Sequence, residues 1–248
     1  MKKKLSLTLA LALMISLAAC GSQNNAPVSS NTPPAATAQD TSPSGSSAGS
    51  DTSNSTEPAE NDPAPAGDGS GILIAYFGVI ETDGTDTVAN ASRVATEAGV
   101  VGNCQFIAQA IQQAVGGDLF AIETVQDYPG THQPLLDFAY DELRQNARPE
   151  LASTIENLED YDVIFLGYPN WNADLPMPLY TFLETYDFSG KTIIPFVTHG
   201  GSGFSRTIST IQELQPNAEV VTDGLSVSRN SVPGAAQQAM DWAAGILG

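Results

Sequence analysis

An aromatic turn that follows an apolar run near the middle of the chain carries the clearest binding signal. Residues 163–166 are continuously apolar and lead into Tyr168, Pro169, Asn170 and Trp171. An unbroken apolar run is typical of a strand covered on both faces, as in a parallel sheet between helices. Ligands usually bind in the crevice beyond the carboxyl ends of such strands. Two aromatic side chains at that place predict a flat aromatic ligand.

Two further loops at predicted strand ends offer polar backbone groups. Gly102, Asn103 and Cys104 open a helix after a long loop that begins at Gly78. Amides at a helix amino end attract an anion without a basic side chain, although a Gly-Asn opening is equally typical of a plain helix cap. The third loop, residues 198–204, reads THGGSGF, and its glycines let backbone amides come close to a ligand.

Other reactive side chains leave alternatives open. His199 is either a ligand contact or a structural cap, and His132 either lines the same crevice or makes a hydrogen bond in its turn. Cys104, at a helix amino terminus, is either a redox thiol of lowered pKa or a buried inert residue. Two isolated histidines fall short of a zinc site, and Ser202 and Ser205 do not form the GxSxG motif of hydrolases. We therefore predict no metal site and no catalytic residue.

The three loops require strands and helices that alternate along the chain. Apolar runs and capping signals predict strands at 72–77, 119–123, 163–166, 192–198 and 219–225, and helices at 103–115, 134–146, 177–186, 208–214 and 234–247. Five strands interleaved with helices predict an α/β fold with a doubly wound parallel sheet. Residues 71–248 have the ordinary size of one domain with a single core.

On these residues the chain resembles the flavodoxin-like family. The resemblance rests on ILIAYF, the Gly-Asn helix opening, ARPEL, YDVIFLGYPNW, LPMPLYTFLETYDFSGKTIIPF and THGGSGFSR, and it extends from Gly71 to about Arg229. It implies a single flavodoxin-like domain with a five-stranded sheet of order 2-1-3-4-5. It also implies non-covalent binding of flavin mononucleotide (FMN).

The resemblance implies a role for each loop as well. The first loop corresponds to the phosphate site, the second to one side of the isoalloxazine ring and the third to the other edge of that ring. The implied cofactor-binding residues are Gly78, Gly102, Asn103, Cys104, Tyr168, Pro169, Asn170, Trp171, Thr198, His199, Gly200, Gly201 and Gly203.

The phosphate side departs from the family pattern. Gly78 and Cys104 stand where the family usually has hydroxyl side chains, and residues 79–101 are an insertion relative to short flavodoxins. Ser92, Arg93 or Thr96 either fold back to replace those donors or belong to a solvated surface loop.

The first 70 residues carry targeting and tether signals. Three lysines, an apolar stretch and a small-residue site ending at Cys20 resemble a bacterial lipoprotein signal, which implies removal of residues 1–19 and lipidation of Cys20. The alternative is an ordinary secretory signal. Residues 20–70 are rich in Ser, Pro and Ala and predict a disordered tether. We expect an extracytoplasmic domain that is lipid-anchored to the bacterial cell membrane.

Charge and composition limit the classes of partner that the protein is expected to bind. A formal net charge of -19 disfavours nucleic acid, which needs clustered basic side chains. The leading hypothesis is an FMN-binding electron-transfer protein whose partner is a redox protein or a small acceptor such as a quinone. The alternatives are an FMN-dependent NAD(P)H or quinone-type reductase, and a flavin-free binding or scaffold lipoprotein that keeps the fold. Whether the protein is an enzyme stays open.

Overall fold

The computed structural model describes residues 71–82 and 92–248. The predicted signal 1–19, the lipidation site Cys20 and the tether 20–70 lie outside the described residues. Among the helices of the described ranges, none is long and apolar enough to cross a membrane.

A parallel sheet forms the middle of the domain. Its strands are β1 (Ile72–Tyr76), β4 (Asp118–Ala121), β5 (Val163–Pro169), β6 (Thr192–His199), β7 (Glu219–Val220) and β8 (Leu225–Ser228). The order is β4-β1-β5-β6, with β7 and β8 both pairing with β6, and every pairing is parallel. The predicted order 2-1-3-4-5 is therefore confirmed, with β7 and β8 together in the fifth place.

Five helices cover the two faces of the sheet. They are α1 (Asn103–Val115), α2 (His132–Gln145), α3 (Met177–Thr185), α4 (Thr207–Leu214) and α5 (Ala236–Leu247), and short 3-10 turns lie at Leu158–Asp160 and Val232–Gly234. All five predicted helices are present, with ends that differ from the prediction by two residues at most. The doubly wound α/β fold is confirmed.

Alternating side chains of the strands build a core on each face. Ile74 and Phe165 pack in the core on the side of α1 and α5, whereas Leu73 and Leu166 pack in the core on the side of α3 and α4. Because both faces are covered, residues 72–75 of β1 and 163–166 of β5 are continuously apolar, as the sequence predicted. Gly167 is required in β5, since a Cβ there would lie 2.0 Å from the ring of Phe196.

The prediction of one continuous fifth strand at residues 219–225 is wrong. The chain pairs with β6 only at β7 and β8, and the interruption lies opposite Pro195. Proline has no N–H to donate to a neighbouring strand, so it interrupts the ladder. Gly224 passes close to this point, where a Cβ would lie 2.3 Å from the carbonyl oxygen of Pro195.

The segment before α1 is more ordered than the long loop that the sequence predicted. Strands β2 (Arg93–Thr96) and β3 (Gly99–Gly102) pair antiparallel as a hairpin. Val94 is buried in the core beside α1, and this burial attaches the hairpin to the domain. The hairpin delivers the chain directly into α1.

Candidate functional site

A cleft opens at the carboxyl edge of the sheet, where the three predicted loops meet. Its cavity volume is about 120 Å³, which is less than small-molecule sites usually have. Residues from seven separate stretches of the chain line it: Gly78, Val79, Glu81, Ser92, Asn103, Cys104, His132, Leu135, Leu136, Pro169, Asn170, Trp171, Thr198, His199, Gly200 and Arg229.

Aromatic rings form one wall of the cleft. The Trp171 ring lies edge-on to Phe77, with 5.6 Å between ring centroids, and 5.8 Å from the ring of Tyr128. Tyr128 is held in turn, because its hydroxyl donates a hydrogen bond to Glu142 Oε2 at 2.8 Å. The half-buried indole of Trp171 is thus supported from behind and contributes a flat surface to the cleft.

A tight turn fixes the backbone that carries Trp171. Asn172 and Ala173 have φ angles of 54° and 63°, and the amides of Trp171 and Asp174 donate to each other's carbonyls at 3.2 and 2.9 Å. Two consecutive left-handed residues are characteristic of a type I′ turn. Asn tolerates this conformation well, whereas Ala does so at a cost. The turn therefore carries some strain at Ala173.

Asp174 ties this turn to the helices behind it. Its carboxylate is buried, accepts a hydrogen bond from the Tyr180 hydroxyl at 3.0 Å and lies 3.4 Å from Arg206 Nε. The Thr210 hydroxyl donates to the same carboxylate at 3.3 Å. These contacts span α3 and α4, so the position of Trp171 depends on the packing of both helices.

The second and third loops are joined by Asn170. Its backbone amide donates to the carbonyl of Thr198 at 2.9 Å, and its side-chain Nδ2 donates to the carbonyl of Gly203 at 2.7 Å and to Ser205 Oγ at 3.0 Å. These bonds orient the amide, so that Oδ1 is a buried acceptor without a partner among the described residues. Gly203, with φ 59°, shapes the third loop but does not line the cleft.

The prediction that the side chain of Tyr168 contacts a ligand is wrong. Tyr168 is fully buried in the core on the side of α3 and α4, and its hydroxyl donates to Thr207 Oγ1 at 3.0 Å. Leu166, two residues earlier, packs in the same core. Since alternate residues of a strand share a face, this spacing was a signal that could have placed Tyr168 correctly.

Two backbone amides at the start of α1 have partners within the protein. The Asn103 amide donates to the carbonyl of Ser92 at 2.8 Å, and the Gly102 amide donates to Gln105 Oε1 at 3.3 Å. Asn103 lines the cleft, whereas Gly102 is buried beside it. Ser92 folds back towards the cleft as one alternative expected, while Thr96 donates within the hairpin to the carbonyl of Gly99.

Cys104 is an inert thiol. Its Sγ lies 3.3 Å from Thr198 Oγ1, and the side chain is buried. Burial raises the pKa of Cys104 to about 12, against a smaller opposing contribution from the hydrogen bond with Thr198. The alternative of a redox thiol of lowered pKa is wrong, because burial of the side chain disfavours the charged thiolate.

The third loop presents a defined histidine tautomer. His199 Nδ1 accepts a hydrogen bond from the Gly201 amide at 2.9 Å, and burial lowers the pKa of His199. The ring is therefore neutral at neutral pH, with its proton on Nε2. His199 lines the cleft beside Gly200, whereas Gly201 acts only through its amide.

Two charged residues of the cleft, Glu81 and Arg229, were not recognised in the sequence. His132 lines the cleft, as one of its two alternatives expected. Its Nδ1 lies 2.5 Å from the carboxylate of the buried Glu81, which is remote in sequence, so this contact is not a hydrogen bond within the turn. Arg229 directly follows β8 and also lines the cleft. Its position directly after a strand of the sheet is the feature that could have identified Arg229 as a cleft residue. Within the described residues, no group of three His, Cys, Asp or Glu could hold a metal ion.

Topology and cleft together define a doubly wound α/β protein of the flavodoxin-like class. A family model described as Flavodoxin matches residues 93–237, more than half of the chain, and the protein belongs to the flavodoxin family. No curated protein matches the chain.

Solved structures with a similar chain include an inferred flavoprotein from Bacteroides eggerthii, at 27% identity and a TM-score of 0.49 over 70% of this chain and 97% of that one. A second inferred flavoprotein, from Bacteroides uniformis, is 26% identical, with a TM-score of 0.46 over 67% and 97% of the two chains. A Lactobacillus acidophilus flavoprotein in complex with FMN is 18% identical, with a TM-score of 0.45 over 67% and 97%.

Proposed function

We propose that this protein binds FMN in the cleft and transfers electrons. The observation that carries the proposal is a cleft lined by both an aromatic ring and polar groups in a chain of the flavodoxin family. Trp171 forms an aromatic wall, and Cys104, Thr198, His199 and Arg229 also line the cleft. FMN has the matching shape, since a flat ring system is joined to a charged phosphate.

The residues of the aromatic side fit the flavin ring. The indole of Trp171 would stack against it, and base–aromatic stacking of this kind contributes about 1 to 3 kcal/mol. Asn170 Oδ1, buried and without a partner among the described residues, would accept a hydrogen bond from a ring N–H. FMN, when bound, supplies the electron chemistry, and the protein supplies position and electrostatics.

One carboxylate that lines the cleft affects the expected affinity for the phosphate of FMN. The Glu81 carboxylate lines the same cleft and would repel a phosphate, because like charges in a poorly solvated site interact strongly. The contact between Glu81 and His132 Nδ1 at 2.5 Å engages that carboxylate. FMN binding would then depend on how far the other groups that line the cleft offset Glu81.

Titration of the purified full chain with FMN tests the proposal. We expect saturable binding at micromolar concentration or tighter, with a change in the visible absorption of the flavin and quenching of its fluorescence. Riboflavin, which lacks the phosphate, serves as the matched ligand. If neither flavin binds saturably, the proposed redox function is refuted, and a flavin-free binding module that keeps the fold is favoured.

Reduction of a small acceptor is the second candidate function, and His199 favours it. Its neutral ring offers an Nε2 proton, which would donate a hydrogen bond to a carbonyl oxygen of a quinone-like acceptor in the cleft. Steady-state assays with NADH, NADPH and a soluble quinone separate a reductase from a carrier. A carrier would bind FMN without turnover under these conditions.

We also propose that the domain works outside the cytoplasmic membrane. The support is the sequence itself, in which a lipoprotein-like signal ends at Cys20 and a polar segment of residues 20–70 precedes the domain. Metabolic labelling with a fatty-acid analogue, with Cys20→Ala as the control, tests this. Label that persists in the variant would refute lipidation at Cys20.

A further inference from the structure

Arg229 holds a guanidinium group against the third loop. Its backbone amide donates to the carbonyl of His199 at 2.8 Å, and its guanidinium carbon lies 3.8 Å from the position that a Cβ on Gly200 would take. The guanidinium thus lies beside Gly200, on the cleft that Arg229 lines.

The cation at Arg229 has no anionic partner in the described part of the chain. Arg144, Arg148 and Arg206 each pair with a carboxylate, and Lys191 Nζ donates to the carbonyl of Tyr161. Arg229 makes neither an ion pair nor a side-chain hydrogen bond with the described residues, in a chain with 28 acidic and 9 basic residues. A half-buried cation that pairs with no carboxylate of residues 71–82 and 92–248 suits a ligand that brings its own negative charge.

Packing places Arg229 on the same side of the sheet as the start of α1. Val227 and Val232, on either side of Arg229 in sequence, belong to the core that α1 contributes to. Trp171 packs instead against the core of the other face. Arg229 therefore lies away from the aromatic wall and towards the end of the cleft that Asn103 and Cys104 line.

Gly78 and Cys104 provide no hydroxyl donor for an anion at this end of the cleft. Gly78 offers no side chain, and Cys104 directs its thiol to Thr198 at 3.3 Å. The Asn103 amide is engaged by the carbonyl of Ser92, and the Glu81 carboxylate adds negative charge to the cleft. An anionic group bound here needs a compensating cation, and Arg229 is the lining residue that can provide one.

We infer that Arg229 binds the phosphate of FMN and replaces the hydroxyl donors that Gly78 and Cys104 do not supply. The inference rests on the proposed function and names the residue on which discrimination between FMN and riboflavin depends. In oxidised FMN the phosphate is the one ionised group, so it is the natural partner of a guanidinium, which binds phosphate with paired N–H donors.

Binding of FMN and riboflavin to full-chain variants tests the assignment. Arg229→Gln should weaken FMN binding about ten- to hundredfold, as expected for loss of a charge-assisted hydrogen bond, while riboflavin affinity changes less than about twofold. Arg229→Lys keeps the charge and should lose less than Arg229→Gln. The exposed Arg144→Gln, which removes the same charge on α2, should leave both affinities unchanged.

The outcomes distinguish this inference from the proposed function. Equal losses for FMN and riboflavin, or no loss for FMN, would overturn the phosphate assignment while leaving flavin binding intact. If the wild type binds neither flavin, the proposed function fails. Titration with inorganic phosphate, followed by ³¹P NMR, then decides the anion site separately: binding that Arg229→Gln abolishes supports it, and equal behaviour of wild type and variant refutes it.

Discussion

Replacement of Trp171 by alanine removes the aromatic wall of the cleft and has two separable costs. The indole makes ring contacts with Phe77 at 5.6 Å and Tyr128 at 5.8 Å, and each such pair contributes about 0.5 to 1.5 kcal/mol. We therefore expect the free energy of unfolding to fall by about 1 to 3 kcal/mol from these two contacts. Loss of flavin stacking should raise the dissociation constant for FMN about 5- to 150-fold, for a loss of about 1 to 3 kcal/mol.

The other tryptophan of the chain provides a matched control. Trp242 lies in α5 and contacts Phe165 at 5.7 Å on the opposite face of the sheet. Trp242→Ala should lower the free energy of unfolding by a similar mechanism, yet leave FMN affinity within about twofold, since the cleft is untouched. Urea unfolding gives the stability of each variant, and fluorescence titration at a temperature where both are folded gives the affinity.

A conservative replacement of Trp171 tests whether FMN binding requires a flat ring at this position. Trp171→Phe keeps a flat ring and should retain most of the affinity that Trp171→Ala loses. If Trp171→Ala binds FMN as tightly as the wild type, Trp171 is not a stacking residue. Equal losses of affinity in the Trp171→Ala and Trp242→Ala variants would instead show that affinity follows global stability, and the assignment of the aromatic wall would fall.

Three further outcomes follow from the cleft and its turn. Glu81→Gln should tighten FMN binding about three- to tenfold and leave riboflavin unchanged, because it removes a negative charge near the phosphate; weaker FMN binding in calorimetric titration would contradict this. Because Ala173 has φ 63°, Ala173→Gly should raise the free energy of unfolding, measured in urea, by about 0.5 to 1 kcal/mol. Asn172→Gly should raise it by less. A lower free energy of unfolding in the Ala173→Gly variant would refute strain in the turn. Burial raises the pKa of the Cys104 thiol to about 12, so the folded protein should react with iodoacetamide at pH 8 at least about a hundredfold more slowly than the protein unfolded in urea. Mass spectrometry of the peptide that contains Cys104 gives both rates. Equal rates would show that the thiol is accessible and ionised in the folded protein.

Local patterns were sufficient for most of the fold. The apolar runs at residues 72–77 and 163–166 and the glycines after α1 are features of short segments, and they predicted the positions of strands and helices. The strand order was implied by the resemblance to the flavodoxin-like family, and the structure confirms it. The break between β7 and β8 was missed because it depends on Pro195 in the neighbouring strand. A strand's continuity is decided by the partner that it pairs with, and that partner is remote in sequence.

The candidate site, like the fold, was predicted only in part from the sequence. The sequence by itself determined that the aromatic turn, the start of α1 and the third loop meet at one edge of the sheet, because parallel strands end on the same side. The sequence held the strand spacing that places Tyr168 in the core, whereas only the tertiary structure decided that Cys104 is buried against Thr198 and that Arg229 reaches the cleft. Desolvation and ion pairing are set by neighbours far away along the chain. Composition and spacing locate a loop, whereas packing decides which of its side chains meets a ligand.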